Sequence, residues 1–361
     1  MTSRSRETTS RGRDPTTRST RLRKKGRRRV EATGATEEGH VPRPVILGVV
    51  GDSGAGKTTI TAGLEGILGE DQVTAFSTDD YHRYDREQRA EIGITPLHPD
   101  ANYMDILSQH LTLLRQGEPI LKPVYGHSGG TFGPPVYVGS KPFAIVEGLL
   151  GYHDEGMRDC YDLRVYLAPP EELRLKWKLQ RDSSKRGYTE DEVQAELDKR
   201  EPDSAQFIRP QERHADVVVS FKEGEGAEAH SLDAEMLLRD TVPQPDLSPL
   251  IGSGERGITI DEGDSERHVN IAGDIESEQA SEIEEAIWEK LHFASHLRSE
   301  RLGEVTIGDD VHRSESLAVV QLVILYHLVT AKAAVALGGS GHRAEDEGSA
   351  AVQEDAATVE Q

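Results

Sequence analysis

Gly51-Asp52-Ser53-Gly54-Ala55-Gly56-Lys57-Thr58 form an unbroken G-x-x-x-x-G-K-T loop, with the apolar run Val45-Ile46-Leu47-Gly48-Val49-Val50 before it and a helical pattern after it. That context gives the motif a mechanical meaning. The glycines let successive backbone N–H groups turn towards phosphate oxygens, Lys57 reaches the β and γ phosphates, and the Thr58 hydroxyl is placed to hold magnesium. With Thr59, the stretch is read as a triphosphate-binding loop, and ATP with Mg2+ as its expected occupant. It does not say which group accepts the phosphate.

Outward from this loop, strand-like apolar runs alternate with helical patterns, the signature of a parallel sheet covered on both faces by crossover helices. Strands are expected at 45–50, 73–77, 143–146, 163–167 and 217–221, and helices at 57–68 and 103–115 and after Pro169-Pro170. Thr189-x-x-Glu192 reads as a capping box opening a further helix. Residues 117–142, rich in Pro and Gly, read as a loop. Beyond a Gly-, Glu-, Pro- and Ser-rich boundary at 222–254, interrupted by a strand signal at 232–239, come strands near 257–261 and 267–272. A helix at 277–291 follows, with Ile283, Ala286, Ile287 and Leu291 on one face, and then a long apolar helix at 317–337. The expected fold is α/β, a P-loop NTPase-type, mainly parallel sheet flanked by helices. The expected organisation is a basic tail at 1–43, a kinase domain at 44–222, a smaller C-terminal α+β portion at 223–338 and an acidic tail at 339–361.

Composition narrows the classes. The formal charge is −22, yet the first thirty residues carry twelve Arg or Lys against only Glu7 and Asp14, so that segment is +10 and the remainder −32. An acid-rich, lysine-poor body resembles proteins of salt-loving organisms, and it would repel a phosphate backbone, so no nucleic acid is expected on the folded part. The basic run at 21–29 lacks apolar periodicity and is expected to be disordered. No apolar h-region is present, so no secretory signal is expected, and the single Cys160 fits a reducing, cytoplasmic compartment. Residues 317–337 are long enough to span a bilayer, but Gln321, His327 and Lys332 lie well inside, which favours a buried helix and no membrane partner.

In open α/β sheets the ligand lies beyond the carboxyl ends of the strands. Asp79 and Asp80 follow the second strand with His82 a step further, and Glu147 follows the third. A kinase needs a carboxylate to take the proton of the attacking hydroxyl, a magnesium ion and cations around the transferred group, and all three are available here. Lys178, Arg181, Asp182, Lys185 and Arg186 share helical spacing where a nucleotide kinase folds a lid over its phosphates. Arg86 and Arg200 are further arginines near motifs.

GDSGAGKTT, STDDYH, LHPDAN, KPVYGH, VEGLLGYHD, VYLAPPEELRLKWKLQRDSSKRGY and KREPD, in this order between residues 44 and 222, resemble phosphoribulokinase of the plant, cyanobacterial and archaeal type. The resemblance implies that Asp79 is the base for the C1 hydroxyl of ribulose 5-phosphate, with Lys57 and Glu147 completing the catalytic set and Glu147 partnering magnesium. It implies that His82, Arg86, Tyr125 and His127 engage the sugar phosphate, that Lys178, Arg181 and Asp182 belong to the lid with Arg186 beside it, and that the protein is a homodimer. Plant enzymes carry a thioredoxin-switched cysteine in the phosphate loop, where this chain has Ala55; with Cys160 alone, intrachain redox control is excluded. Uridine kinase shares several of these elements and is the alternative acceptor class, although His82 and Tyr125-x-His127 suit a sugar phosphate better than a nucleoside. A non-catalytic ATP sensor is the alternative outside enzymes.

Overall fold

The computed structural model describes residues 43–186, 189–224, 231–244, 246–248, 257–291, 297, 302–307 and 310–337, without the side chains of residues 184–186 and 307. The basic run at 21–29, the Lys185 and Arg186 side chains and the acidic tail lie outside the described residues.

Strand β1 (Val45–Gly51) is buried along its whole length, because both of its faces are covered. Val45, Leu47 and Val49 join one core and Ile46 and Val50 the other. The loop after β1 leads into α1 (Lys57–Leu68), followed by β2 (Val73–Ser77), α2 (Arg86–Ile92) and α3 (Met104–Arg115). Next come β3 (Ile120–Gly126), β4 (Thr131–Val138), β5 (Phe143–Gly148), α4 (Glu155–Arg158), β6 (Leu163–Leu167), α5 (Glu171–Arg186) and α6 (Glu190–Asp203). β7 (Val217–Glu223), β8 (Leu232–Arg239), β9 (Ile258–Glu262), β10 (Glu266–Ile271), α7 (Ser277–Lys290), β11 (Glu304–Ile307), β12 (Asp310–Arg313) and α8 (Glu315–Ala336) complete the described elements.

One eight-stranded sheet has the order β2-β5-β1-β6-β7-β8-β10-β9. Its first five strands are parallel, and β8, β10 and β9 are added antiparallel, so the sheet continues without a break past residue 222. The parallel half places the carboxyl ends of β1, β2 and β5 side by side, with Glu147 level with Val49 of β1 and Ser77 of β2.

The segment 117–142 is not a loop. It folds as the β3–β4 hairpin, and the prolines that suggested otherwise fall at an irregularity. Lys122 pairs Val136 and Val124 pairs Gly133, so Pro123 faces Pro134 and Pro135 across a register shift where no ladder hydrogen bond is needed. The short helix α2 was likewise absent from the sequence reading, although Asp85 and Gln88 form a reciprocal capping box at its start.

Helix α8 is apolar on all sides because it is surrounded: it packs against β1, β8, α1 and α7. The polar residues noted within it all turn inward. Gln321 accepts a hydrogen bond from the Gly303 amide at 2.8 Å, Lys332 lies over the Phe143 ring at 4.5 Å, and His327 is buried with its Nε2 unpartnered. Burial, aided by Arg267, pushes the His327 pKa down from 6.5 to about 4. The unfolded chain therefore binds a proton between those values that the folded chain refuses, so this contribution to stability is complete above pH 6.5 and is lost as pH falls towards 4. Between pH 7.5 and pH 5, His327→Leu should lose less stability than the parent by on the order of 1–2 kcal/mol. Urea midpoints at the two pH values check this, and equal losses would contradict it.

Candidate active site

The phosphate loop owes its shape to two residues in left-handed conformation, Gly54 at φ 88° and Gly56 at φ 90°. Any side chain there would be strained, and a Cβ on Gly54 would also press on Lys178 Cβ at 3.0 Å. The amino terminus of α1 carries no side-chain cap, which leaves its amides and dipole available to an anion. Lys57 Nζ donates to the carbonyls of Gly51 and Asp52, each at 2.9 Å, and so lies along the loop it would share with a phosphate. Burial pushes its ammonium down, opposed by the charges of Glu147, Asp79 and Asp52.

Thr58 at the start of α1 and Glu147 at the end of β5 come together, with Oγ1 donating to the carboxylate at 3.3 Å from either oxygen. Burial pushes the Glu147 carboxyl up; Lys57 opposes this and Asp79 reinforces it. A half-buried carboxylate held beside a hydroxyl at the start of the phosphate-loop helix suits a divalent cation, so Thr58 and Glu147 are the residues that would hold magnesium.

Asp79 lies in the 3-10 turn Thr78–Tyr81 directly after β2, its amide donating to Ser77 Oγ at 3.2 Å. It lines a cleft with Thr78, Tyr81, Pro96, Asn102, Met104, Leu107, Leu149 and Leu150. The turn packs so closely on β5 that a Cβ at Gly148 would sit 1.7 Å from Thr78 Oγ1. Gly148→Ala should therefore displace the turn carrying Asp79, costing roughly 1–3 kcal/mol in stability. Turnover should fall further than nucleotide affinity does, since the phosphate loop is untouched. Thermal melts together with steady-state kinetics check this, and a lower melting temperature with unchanged turnover would contradict it.

Asp80 points the other way. It pairs with Lys122 and accepts the Tyr125 amide at 2.9 Å, so its work is to pin the β3–β4 hairpin beside the turn. The hairpin thereby brings Tyr125 against His82, ring centroids 4.7 Å apart, with His127 on its other edge at 5.3 Å. His82 is buried, and its Nδ1 is held by Asn102 Oδ1 at 2.7 Å. Burial pushes the His82 imidazole pKa down and Asp79 opposes it. Arg86 is exposed, and its guanidinium donates to the His127 carbonyl.

One residue of this cluster escaped the sequence reading. Arg89, one turn along α2 from Arg86, is buried, with its guanidinium 5.1 Å from the Tyr125 ring centroid and donating to Tyr125 Oη at 2.6 Å and to the Tyr84 carbonyl. These partners are all uncharged, and among the described residues no carboxylate lies within ion-pair distance of it. The Asp85–Gln88 capping box could have revealed the helix that sets its spacing.

The lid residues are placed less uniformly. Lys178 is buried and gives its ammonium to Asp182 Oδ2 at 2.7 Å, while Arg181 Nε binds Asp182 Oδ1 at 2.8 Å. Asp182 thus serves its own helix, and Lys178 turns inward, not towards an acceptor. The Arg181 charge reaches Lys57 and, after burial, helps to hold its pKa down. Arg200 Nε binds Glu196 on α6 at 2.7 Å; its charge reaches Lys178, but it is not part of the His82 cluster. A further contact was not anticipated: Arg174 Nη1 donates to the Ser53 carbonyl at 2.8 Å, fastening the start of α5 to the loop.

A sequence profile of the Phosphoribulokinase / Uridine kinase family matches residues 46–224. Over 177 residues the chain is 40% identical to a phosphoribulokinase of Synechocystis sp., a match covering 49% of this chain and 53% of that one. It therefore spans about half the length of the plant and cyanobacterial phosphoribulokinases that it matches in sequence. It is 35% identical over 182 residues to a uridine kinase of Brevibacillus brevis, covering 49% of this chain and 84% of that one. A solved phosphoribulokinase from Rhodobacter spheroides superposes with a TM-score of 0.53 at 18% identity, over 71% of this chain and 99% of that one, and so shares the fold. A phosphate loop at the end of β1, acids at the ends of β2 and β5, and a relative covered over most of its length lead to one assignment: the chain belongs to the Phosphoribulokinase / Uridine kinase family.

Proposed function

We propose that the protein transfers the γ-phosphoryl group of ATP to the C1 hydroxyl of ribulose 5-phosphate, forming ribulose 1,5-bisphosphate. The observation that carries this reading is Arg89: a buried guanidinium whose partners among the described residues are neutral, beside His82 and Tyr125, wants an anion, and a sugar phosphate brings one where a nucleoside does not. Asp79 takes the proton of the attacking hydroxyl. Lys57 and the α1 amino terminus receive the charge of the transferred group, and Arg181, whose charge reaches Lys57, adds to the cations around it. Thr58 and Glu147 are the residues that would hold magnesium, whose charge would help neutralise the charge developing on the transferred group.

A coupled ADP-release assay with Mg-ATP at high salt, comparing ribulose 5-phosphate with uridine and ribose 5-phosphate, tests this. Turnover on ribulose 5-phosphate alone is expected. The second reading, a nucleoside kinase, is favoured by the extent to which the chain covers uridine kinases, 84% and 90% of two bacterial ones. Turnover on uridine alone would establish it. ATP binding without turnover on any acceptor would instead make the protein a nucleotide sensor.

The same reading makes the protein a cytoplasmic enzyme adapted to high salt, supported by the acidic body and the lone buried Cys160, with no nucleic acid on its folded part and no membrane. The homodimer rests on the family resemblance alone, because the apolar helix α8 is consumed by the chain's own core. Light scattering at high salt, where self-repulsion is screened, should give twice the chain mass; a monomer would overturn it.

A further inference from the structure

The last residue of α6 and the first of the turn after it reach in different directions. Asp203 Oδ2 accepts from Thr95 Oγ1 at 2.5 Å, and Ser204 Oγ donates to Asp52 Oδ2 in the phosphate loop. Thr95 and Ser204 are buried, and so is Asp52, whose other oxygen takes the Ser53 amide at 2.6 Å and faces Arg174 at 3.7 Å. Thr95 opens the loop that ends at Asn102, and Asn102 binds the Pro96 and His98 carbonyls through Nδ2 and His82 through Oδ1. Two consecutive residues thus tie the nucleotide loop to the segment that holds the acceptor histidine.

The segment continues as a hub. Ser204–Ile208 is a π-helical turn that begins two residues after Pro202, a widening of the ladder that recurs at functional positions. Phe207 packs edge-on against His98 at 4.8 Å. Gln211 then binds the Leu149 carbonyl at 2.7 Å and the Tyr152 amide at 2.8 Å, in the stretch following Glu147 and Gly148. The stem of α6 therefore touches the segments that follow β1, β2 and β5.

We propose that Asp203 and Ser204 are positioning residues that couple the acceptor loop to the phosphate loop, so that occupation of either side orders the other. This rests on the phosphoryl-transfer reading of the site. Neither residue touches the reacting atoms; they act through Thr95 and Asp52. A coupling of this kind is shown only by its energetics, which decides the choice of test.

The test uses the full chain at high salt, with Thr95→Val, Ser204→Ala, the double variant and Thr95→Ser as the hydroxyl-retaining control. Thr95→Val should raise the KM for ATP severalfold although Thr95 does not touch the phosphate loop, and Ser204→Ala should raise the acceptor KM severalfold. The double variant should be little worse than the poorer single, and Thr95→Ser should restore the ATP KM. Independent, multiplying effects, each confined to its own substrate, would overturn the proposal. Amide hydrogen exchange supplies a readout that needs no turnover: Thr95→Val should speed exchange at residues 52–58, and Ser204→Ala at residues 94–102. Protection changing only beside each substitution would also overturn it. If the wild type turns over no acceptor, the function proposed above fails, while the exchange experiment still decides the coupling.

Discussion

Asp79→Asn is expected to lower kcat on ribulose 5-phosphate by at least about 10²–10⁴-fold, the range a positioned general base supplies, while leaving ATP affinity largely intact. The separation of the two effects follows from the architecture. Asp79 sits on the turn after β2, whereas the triphosphate contacts come from the loop after β1 and the amino terminus of α1. Asparagine keeps the size of the side chain and the amide bond to Ser77 but cannot take a proton. Its charge also acts on its neighbours, since it raises the pKa of Lys57, Glu147 and His82. A modest change in magnesium dependence is therefore expected beside the loss of turnover. Kinetics with nucleotide titration by calorimetry check both, and near-normal turnover would remove Asp79 from the mechanism.

Lys57→Ala is expected to reduce nucleotide affinity and turnover together, with kcat/KM for ATP falling by about 10²–10³-fold, the scale seen when one donor to a transition-state oxyanion is removed. Its half-buried ammonium binds the Gly51 and Asp52 carbonyls within the field of Glu147 and Asp79. Removing it leaves two carbonyls without this donor and takes from Glu147 the cation that opposes its raised pKa. Lys57→Arg should rescue little, because the planar fork of a guanidinium does not fit a position shaped for a compact ammonium. Steady-state kinetics on the three proteins provide the check. Unchanged kinetics in Lys57→Ala would falsify the assignment of this loop as the triphosphate site.

Most of the nucleotide half was legible in the chain. Gly54, Gly56, Lys57 and Thr58 are consecutive, so their chemistry is written in local backbone geometry and needs no distant partner. The acids at strand ends, Asp79 and Glu147, were legible because a parallel sheet aligns those ends whatever the loops do. The acceptor half was legible only in part. His82, Tyr125 and His127 stood out by type and the resemblance singled out Asp79, but the work of its neighbour Asp80 shows only in Lys122 and the Tyr125 amide, brought up by a hairpin whose prolines read as a loop.

The sequence by itself determined the phosphate loop, the alternation of strands and helices and the burial of β1, because each depends on residues within a few positions of one another. Tertiary structure decided the rest. Arg89 is one of many arginines until α2 turns it against Tyr125, and α8 is a membrane-length helix until β1, β8, α1 and α7 enclose it. Asp203 and Ser204 look like the polar end of a helix until Thr95 and Asp52, about a hundred or more positions away, take up their side chains. Periodicity and spacing carry no record of such distant pairings, since the energy of a buried hydrogen bond or an unpaired charge depends on which groups share its low-dielectric surroundings.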